Sequence, residues 1–383
     1  MAREVIVLLC LCVPQVGVAD VPAPTLGLPQ LSDPDAVIEN LTRKIISGAL
    51  TGQQLADAYL GRCGARVQTR DIRGALDDCT KSINLVDSAT PRLIRGQLYA
   101  LAKNYSAALD DFAALTRLEP NDPRWHGLSA TLYWRLGNID KFAAESDAAM
   151  ALVPNRISSL KDRAEIYFNN GYWERALADY EMILASEPDN AEMLHYRGDA
   201  KTFLGRYEDA MRDYDRALKL DPKGQAQPIA LAKTISLLDQ RRYADGVVQA
   251  QIAADAAPDN AYMLLWLNLM RAHAGKSNDQ DFSRRSEKID QKAWPYSVIA
   301  YEQGKIAEEQ VWAAASAGTD AQTASNRKCE ADFYMGEYKL ARDRDGAMTL
   351  LTEAADKCYK GFIEYSGAVF ELRALGENVK LGH

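Results

Sequence analysis

Four histidines, His126, His195, His273 and His383, are the side chains best suited to hold a metal ion. They lie far apart along the sequence, and none stands in a motif of closely spaced ligands. A zinc site that can be recognised from sequence brings histidine, cysteine or carboxylate ligands together at short, regular spacings. The sequence therefore predicts no metal site.

Other catalytic patterns are equally weak. The sequence has neither a glycine-rich phosphate loop nor a Gly-x-Ser-x-Gly elbow. Carboxylates such as Glu165 and Asp199 are numerous, but acidic residues on helical faces usually serve solvation. We therefore predict that the protein is not an enzyme, with no catalytic residues, no cofactor and no small-molecule substrate.

The charge balance argues against a nucleic-acid partner. The net charge is -8 at pH 7 and the isoelectric point is near 5.3. No overall positive field is available to attract a phosphate backbone. The 383 residues are 47% hydrophobic, enough for a sizeable buried core.

The elements that position these side chains follow from regularly spaced prolines. Pro120, Pro154, Pro188 and Pro222 recur at one constant interval, and Pro258 follows after a slightly longer one. Proline ends a helix, and the polar residues beside it cap the next helix. The interval, about 34 residues, is typical of repeated helical hairpins.

The clearest unit spans residues 157–190. Small residues on its two helices permit a close approach, and tyrosines fill the wider gap beyond. The unit and its successor share a set of matching residues: Leu160, Ala164, Tyr167, Gly171, Ala176 and Tyr180, then Leu194, Gly198, Gly205, Ala210 and Tyr214.

These residues resemble the tetratricopeptide repeat family. The resemblance implies an all-α fold, a right-handed superhelical solenoid of tetratricopeptide-type helical hairpins. We expect about six units within residues 33–275. The unit with Phe142 and Ser146 departs from the pattern, because a small and an aromatic residue are expected there. A non-repetitive helical bundle is the alternative, but it does not explain the constant interval.

A polar stretch, residues 276–293, is predicted to be a linker to a C-terminal helical repeat region, residues 294–378. This region resembles the NlpI-like lipoprotein family. The residues that carry the resemblance are Trp294, Pro295, Tyr301, Gly304, Lys305, Ile306, residues 332–338, residues 362–365 and Leu372. The resemblance implies an envelope adaptor that docks proteases and peptidoglycan hydrolases.

The N-terminus predicts export. Arg3 precedes an apolar run, residues 5–13, and small residues follow at Gly17 and Ala19, so residues 1–19 are predicted to be a signal peptide. Glu4 cancels the charge of Arg3. The cysteines in the run, Cys10 and Cys12, follow leucine and thus lack the lipid-attachment context of the NlpI-like family.

Four further cysteines fall within the predicted hairpins. Cys63 and Cys79 occupy facing positions of the first unit, and Cys329 and Cys358 begin and end a late antiparallel hairpin. We therefore predict the disulfides Cys63–Cys79 and Cys329–Cys358. The alternative is four buried thiols.

The first helices of the repeats should line a concave protein-binding groove. The alternative is that its aromatic residues pack against neighbouring helices. The predicted groove residues are Arg124, Thr131, Trp134, Lys161, Glu165, Phe168, Asn169, His195, Asp199 and Phe203, with a more apolar continuation at Leu231, Ile235, Leu238, Tyr262, Leu265 and Leu269.

His195 and Asp199 stand where chaperone-binding repeats carry basic and amide groups, so an acidic C-terminal peptide is a poor ligand. The leading prediction is an exported, periplasmic scaffold that binds other proteins, either envelope enzymes or assembly factors. One alternative is a structural repeat protein that forms a homodimer through its last helix, near Leu375. Another is a cytosolic co-chaperone-like module.

Overall fold

The computed structural model describes residues 31–379, and this span contains twenty α-helices and no β-strand. The predicted signal peptide, residues 1–19, lies outside it. The all-α fold of helical hairpins is confirmed. Within the described span the chain divides into two compact units, one up to residue 159 (unit 1) and one from residue 160 (unit 2). No helix within the described span has both the length and the apolar character to cross a membrane.

Unit 1 consists of a leading helix and three hairpins. Its helices are α1 (Pro34–Ile46), α2 (Gly52–Gln68), α3 (Ile72–Leu85), α4 (Ala89–Leu101), α5 (Tyr105–Leu118), α6 (Pro123–Arg135) and α7 (Ile139–Ala151). Asp and Asn side chains cap several N-termini; Asn104, for example, accepts from the amide of Ala107 and thereby satisfies a free donor of α5.

Unit 2 continues the hairpins and adds the C-terminal helices. Its helices are α8 (Ile157–Asn169), which begins just before the division, α9 (Trp173–Ser186), α10 (Ala191–Phe203), α11 (Tyr207–Leu220), α12 (Ala226–Asp239), α13 (Tyr243–Ala256), α14 (Ala261–His273), α15 (Asp279–Ser286), α16 (Tyr296–Glu302), α17 (Glu308–Ser316), α18 (Ala321–Lys339), α19 (Arg344–Lys357) and α20 (Ile363–Ala374).

The turn inside several of the hairpins contains a residue in the left-handed conformation. Gly137, Gly171 and Gly205 occupy this position in three successive repeats, with φ of 68°, 80° and 72°. Glycine adopts this conformation without a steric penalty, and it ends the first helix of each pair. Their spacing in the structure matches the interval of the prolines.

Close approach of the paired helices depends on small residues. A Cβ atom built on Gly198 would lie 2.4 Å from the ring of Tyr214, and one built on Gly96 would lie 2.7 Å from the ring of Phe112. The aromatic ring of the second helix therefore fills the space that a side chain on the first would need.

The first hairpin fills the same two positions with a disulfide. Cys63 and Cys79 are bonded with their Cα atoms 5.6 Å apart, and both side chains are fully buried. Cys329 is bonded to Cys358, the residue that follows α19, with a Cα separation of 5.2 Å. Cys329 lies near the middle of α18 and not at the start of the hairpin as predicted, because α18 begins already at Ala321. These are the two pairs predicted from the hairpin positions.

An ion pair with a buried aspartate crosses four of the hairpins in residues 31–379. In each, an arginine of the first helix donates two hydrogen bonds of 2.6–2.9 Å to an aspartate 16 residues later. The pairs are Arg62–Asp78, Arg95–Asp111, Arg163–Asp179 and Arg197–Asp213. Ser129 and Glu145 occupy the matching places in α6 and α7, one repeat before Arg163 and Asp179.

The C-terminal helices share one hydrophobic core with the later repeats. α20 packs against α12, and α14 packs against α16 and α18. Trp266 of α14 contacts the rings of Phe333 and Tyr334 of α18. The stretch predicted as a linker, residues 276–293, contains α15 and buries Phe282 and Ile289 in the same core. The domain boundary predicted near residue 276 stays a prediction.

Asp111→Asn should destabilise the protein by about 3 kcal/mol. The substitution leaves Arg92 and Arg95 without their buried counter-charge. The measurement is the urea unfolding midpoint. Asp110→Asn is the matched control, because Asp110 is the exposed neighbour on the same helix. An equal loss in both variants would contradict a specific role for the ion pair.

Candidate functional site

Two of the three predicted groove residues in unit 1 have local partners. The Arg124 guanidinium donates to Asp122 and lies 4.6 Å from the centre of the Trp125 ring. The Thr131 hydroxyl donates to the carbonyl oxygen of Gly127, one turn earlier. These contacts hold both side chains along α6.

Trp134, the third, packs within its own hairpin. Its ring centre lies 5.2 Å from that of Phe142 on α7. Phe142 is the residue that departs from the expected small type, and it is buried there. The half-buried Trp134 therefore covers the position at which α6 and α7 would otherwise approach most closely.

In unit 2, the predicted charged residues of α8 remain accessible. Lys161 donates to Glu192 of α10 at 2.7 Å, and both side chains are more than 40% exposed. Glu165, one turn further along α8, is exposed. The ion pair joins α8 and α10, the first helices of neighbouring repeats.

Behind this exposed layer lies a polar cluster on α10 and α11. Tyr214 donates to Asp199 at 2.9 Å, and His195 Nε2 lies 3.4 Å from the second oxygen of the same carboxyl. Burial raises the pKa of Asp199, whereas His195 and the hydrogen bond from Tyr214 act in the opposite direction. His195 and Asp199, both predicted groove residues, therefore lie one turn apart and in contact, and their part in a groove stays a prediction.

Tyr196 stands among the carboxylates of this face. Burial raises its pKa to about 12, and the charges of Glu192, Asp199 and Glu165 add to the effect. We call these four residues, Glu165, Glu192, Tyr196 and Asp199, the acidic face. Glu165 and Glu192 are its accessible carboxylates, and the bond from Lys161 to Glu192 shows that this face accepts a cationic group.

The predicted aromatic residues Phe168 and Phe203 lie inside a cluster. The ring centre of Phe203 is 5.3 Å from that of Phe168, 5.0 Å from Trp173 and 6.4 Å from Phe370 of α20. Phe168 and Phe203 therefore pack against neighbouring helices, which is the alternative to their lining an open groove.

Asn169, the predicted groove residue at the end of α8, contacts the segment that leads into α20. A Cβ atom built on Gly361 would lie 2.6 Å from the Asn169 side-chain oxygen. Asn170 also approaches the Tyr359 hydroxyl, at 3.5 Å. The C-terminal chain therefore covers the end of α8.

The expected apolar continuation of the groove is not an open surface. C-terminal helices cover this face, and burying its apolar side chains away from water stabilises the packing. Its buried members are Ile235, Leu238, Leu265 and Leu269; Leu231 and Tyr262 are partly buried against the same core. The apolar periodicity of α12 and α14 indicates that one face is buried, but it does not indicate which segment packs on that face.

A buried carboxylate network ties the tail to this covered face. Tyr262 and Trp294 both donate to Glu330, at 2.7 and 2.6 Å. Tyr334 donates to the buried Glu364 at 2.9 Å. Burial raises the pKa of Glu364 to about 7, and the charge of Glu330 acts in the same direction.

Local spacing also missed a cluster of possible metal ligands. His273, Glu337 and Glu371 come from three helices and offer ligand atoms within 4.8 Å of one another. His273 Nε2 lies 2.8 Å from Glu337. The prediction that no histidine has ligand neighbours considered only residues nearby in sequence, and these three converge only when α14, α18 and α20 pack together.

Comparison with protein families identifies the repeats. A model described as a tetratricopeptide repeat matches residues 93–157 and residues 161–225. The matched stretches contain α5–α7 with most of α4, and α9–α11 with most of α8. These two stretches of the chain are therefore tetratricopeptide repeats within a fold of helical hairpins.

Solved tetratricopeptide repeat structures are similar to parts of the chain. A protein from Parabacteroides merdae is 18% identical, with a TM-score of 0.46, over 74% of this chain and 98% of that one. YrrB, described as having an unusual peptide-binding site, is 18% identical, with a TM-score of 0.35, over 48% and 94%. The P58(IPK) repeat domain is 14% identical, with a TM-score of 0.25, over 85% and 99%.

Glu364→Gln should stabilise the protein at pH 8 by up to about 3 kcal/mol and change little near pH 4.5. The carboxyl has a pKa of about 7 in the folded protein, above its ordinary value of 4.5. Its contribution to the free energy of unfolding is therefore fully present below pH 4.5 and is lost as pH rises through 7. Glutamine can still accept from Tyr334.

Unfolding midpoints across pH 4.5–8 measure this effect. The exposed Glu377, changed to Gln, is the control from the same tail. A pH profile of Glu364→Gln that stays parallel to that of the unmodified protein would contradict the assignment.

Proposed function

We propose that this protein is an exported scaffold whose acidic face binds an extended, basic segment of a partner protein. The observation that carries the proposal is the arrangement on α8 and α10, where Glu165 and Glu192 remain accessible beside Tyr196. Tetratricopeptide repeats present such faces to partner segments.

The acidic face has a rigid support. Asp199 is held by Tyr214, and the Tyr214 hydroxyl also lies 3.0 Å from that of Thr202. Arg197 and Asp213 bond the same two helices. Because these groups are already ordered, a partner segment would lose its own conformational freedom without also ordering the surface.

The covered part of the repeat series limits where a partner would bind. Phe370 of α20 stacks near Phe203, and the apolar faces of α12 and α14 lie beneath the tail. The surface available in unit 2 therefore favours a short segment with charged groups over a long apolar helix.

Export is supported by the two disulfides together with the pattern of residues 1–19. Disulfides persist in oxidising compartments and are rare in the cytosol, which disfavours a cytosolic co-chaperone-like module. The resemblance of the tail to NlpI-like lipoproteins suggests envelope proteases or peptidoglycan hydrolases as the partners.

Glu165→Lys should reduce recovery of a partner from envelope extract by about tenfold, because it reverses a charge on the acidic face. Quantitative affinity purification with purified, immobilised protein measures the loss. Glu165 is exposed, so helicity and the unfolding midpoint should stay unchanged.

The matched control is Glu181→Lys, the same charge reversal at an exposed position on α9. It should retain the partner. Equal recovery of the partner by both variants would exclude the acidic face as the binding site. Concentration-dependent dimerisation with no recovered partner would favour the homo-oligomeric alternative.

Residues 1–30 fused to alkaline phosphatase should give an active, exported enzyme. The apolar run and the small residues after it are expected to direct export, and the reporter is active only where its disulfides form. Activity in periplasmic and cytosolic fractions is measured, with a fusion lacking residues 5–13 as the control. Equal, low activity of the two fusions would contradict export.

A further inference from the structure

Three helices of unit 2 end at one place. His273 is the last residue of α14, Glu337 lies in the last turn of α18, and Glu371 lies in the last turn of α20. Their ligand atoms lie within 4.8 Å of one another. The C-terminal end of a helix carries a partial negative charge, so three such ends create a local potential that favours a cation.

Glu337 has an unsatisfied oxygen at this point. Its side chain is only 4% exposed, and its Oε2 lies 2.8 Å from His273 Nε2. Its other oxygen, Oε1, is buried without a hydrogen-bond partner among the described residues. Such an atom costs free energy unless a donor or a cation meets it.

The imidazole and the second carboxylate are held in place around it. The ring of His273 stacks on Tyr243, with centres 4.8 Å apart and planes 17° from parallel. Glu371 is 6% exposed. Stacking and burial limit side-chain rotation, which is how proteins preorganise the ligands of a metal ion.

Water can reach the cluster from one side. A cavity of about 770 Å³ is lined by His273 and Glu337, together with Asn268, Glu302, Tyr338 and Arg342. Metal sites with three protein ligands use water for the remaining position. The cavity supplies both that water and a path for entry.

We propose that His273, Glu337 and Glu371 form a binding site for a divalent transition-metal ion, which joins α20 to α14 and α18. Ligand atoms around zinc are roughly 3.4 Å apart when metal-ligand distances are near 2.1 Å. The 2.8 Å contact between His273 and Glu337 and the 4.8 Å limit of the cluster bracket this value. One imidazole and two carboxylates suit zinc or manganese.

The competing arrangement needs no metal. A protonated His273 could balance the carboxylates, assisted by the charge of Arg241, which also acts on Glu371. The two arrangements differ in one measurable respect, since only the first takes up a metal ion through all three side chains. This site is independent of the acidic face.

The test is titration calorimetry of the chelator-treated, tag-free protein at pH 7 with Zn²⁺ and, separately, Mn²⁺. We expect one Zn²⁺ ion per chain with a micromolar or tighter dissociation constant. Glu371→Gln and His273→Gln should each weaken binding more than about tenfold, because loss of a ligand exceeds the 10–100-fold effect of an outer partner.

Glu364→Gln is the matched control, because it changes a buried carboxylate of the same helix outside the cluster. It should bind Zn²⁺ like the unmodified protein. Circular dichroism verifies that each variant is folded. The proposal is overturned if the unmodified folded protein takes up neither ion, or if both cluster variants bind as tightly as the control.

Discussion

The ion pair between an arginine of the first helix and an aspartate of the second fixes how two helices of a hairpin face each other. Each pair forms two hydrogen bonds to a buried aspartate, so a rotation or slide of either helix would leave that carboxylate without its counter-charge. The small-residue contact sets how closely the helices approach, and the ion pair sets their register. Both devices recur with the repeat, and the surface chemistry of each unit follows from the orientation they impose.

Much of the fold follows from the sequence because its determinants are local. Proline spacing located the hairpins, and left-handed residues such as Gly171 fall at the expected turns. The cysteine pairs were predictable because Cys63 and Cys79 occupy the positions that Gly198 and Tyr214 occupy in a later unit. The arginine–aspartate ion pairs were not predicted, because the separation of 16 residues matches no motif within a single helix.

Contacts between distant segments could not be predicted. The apolar face at Ile235 and Leu265 has the periodicity of a groove, whether it meets a partner or the same chain. The C-terminal helices that cover it lie about a hundred residues later, and no local pattern records that pairing. The convergence of His273 with Glu337 and Glu371 could not be predicted for the same reason, because the three residues lie on helices that are distant in sequence. The acidic face was predicted in part. Glu165 and Asp199 were among the expected groove residues, whereas Glu192, Tyr196 and the burial of Asp199 were not expected.

The α6–α7 hairpin differs from its neighbours, and a consequence follows for cooperativity. It carries Ser129 and Glu145 where adjacent units carry a buried arginine and aspartate, and Glu145 pairs instead with His126, with both side chains partly exposed. In a linear repeat array each unit is stabilised by its neighbours, so unfolding propagates until it meets a weakly coupled unit. This hairpin directly precedes the division between the two compact units. Because it lacks the arginine–aspartate pair, α6–α7 is therefore expected to be the hairpin of unit 1 that opens most readily by local unfolding.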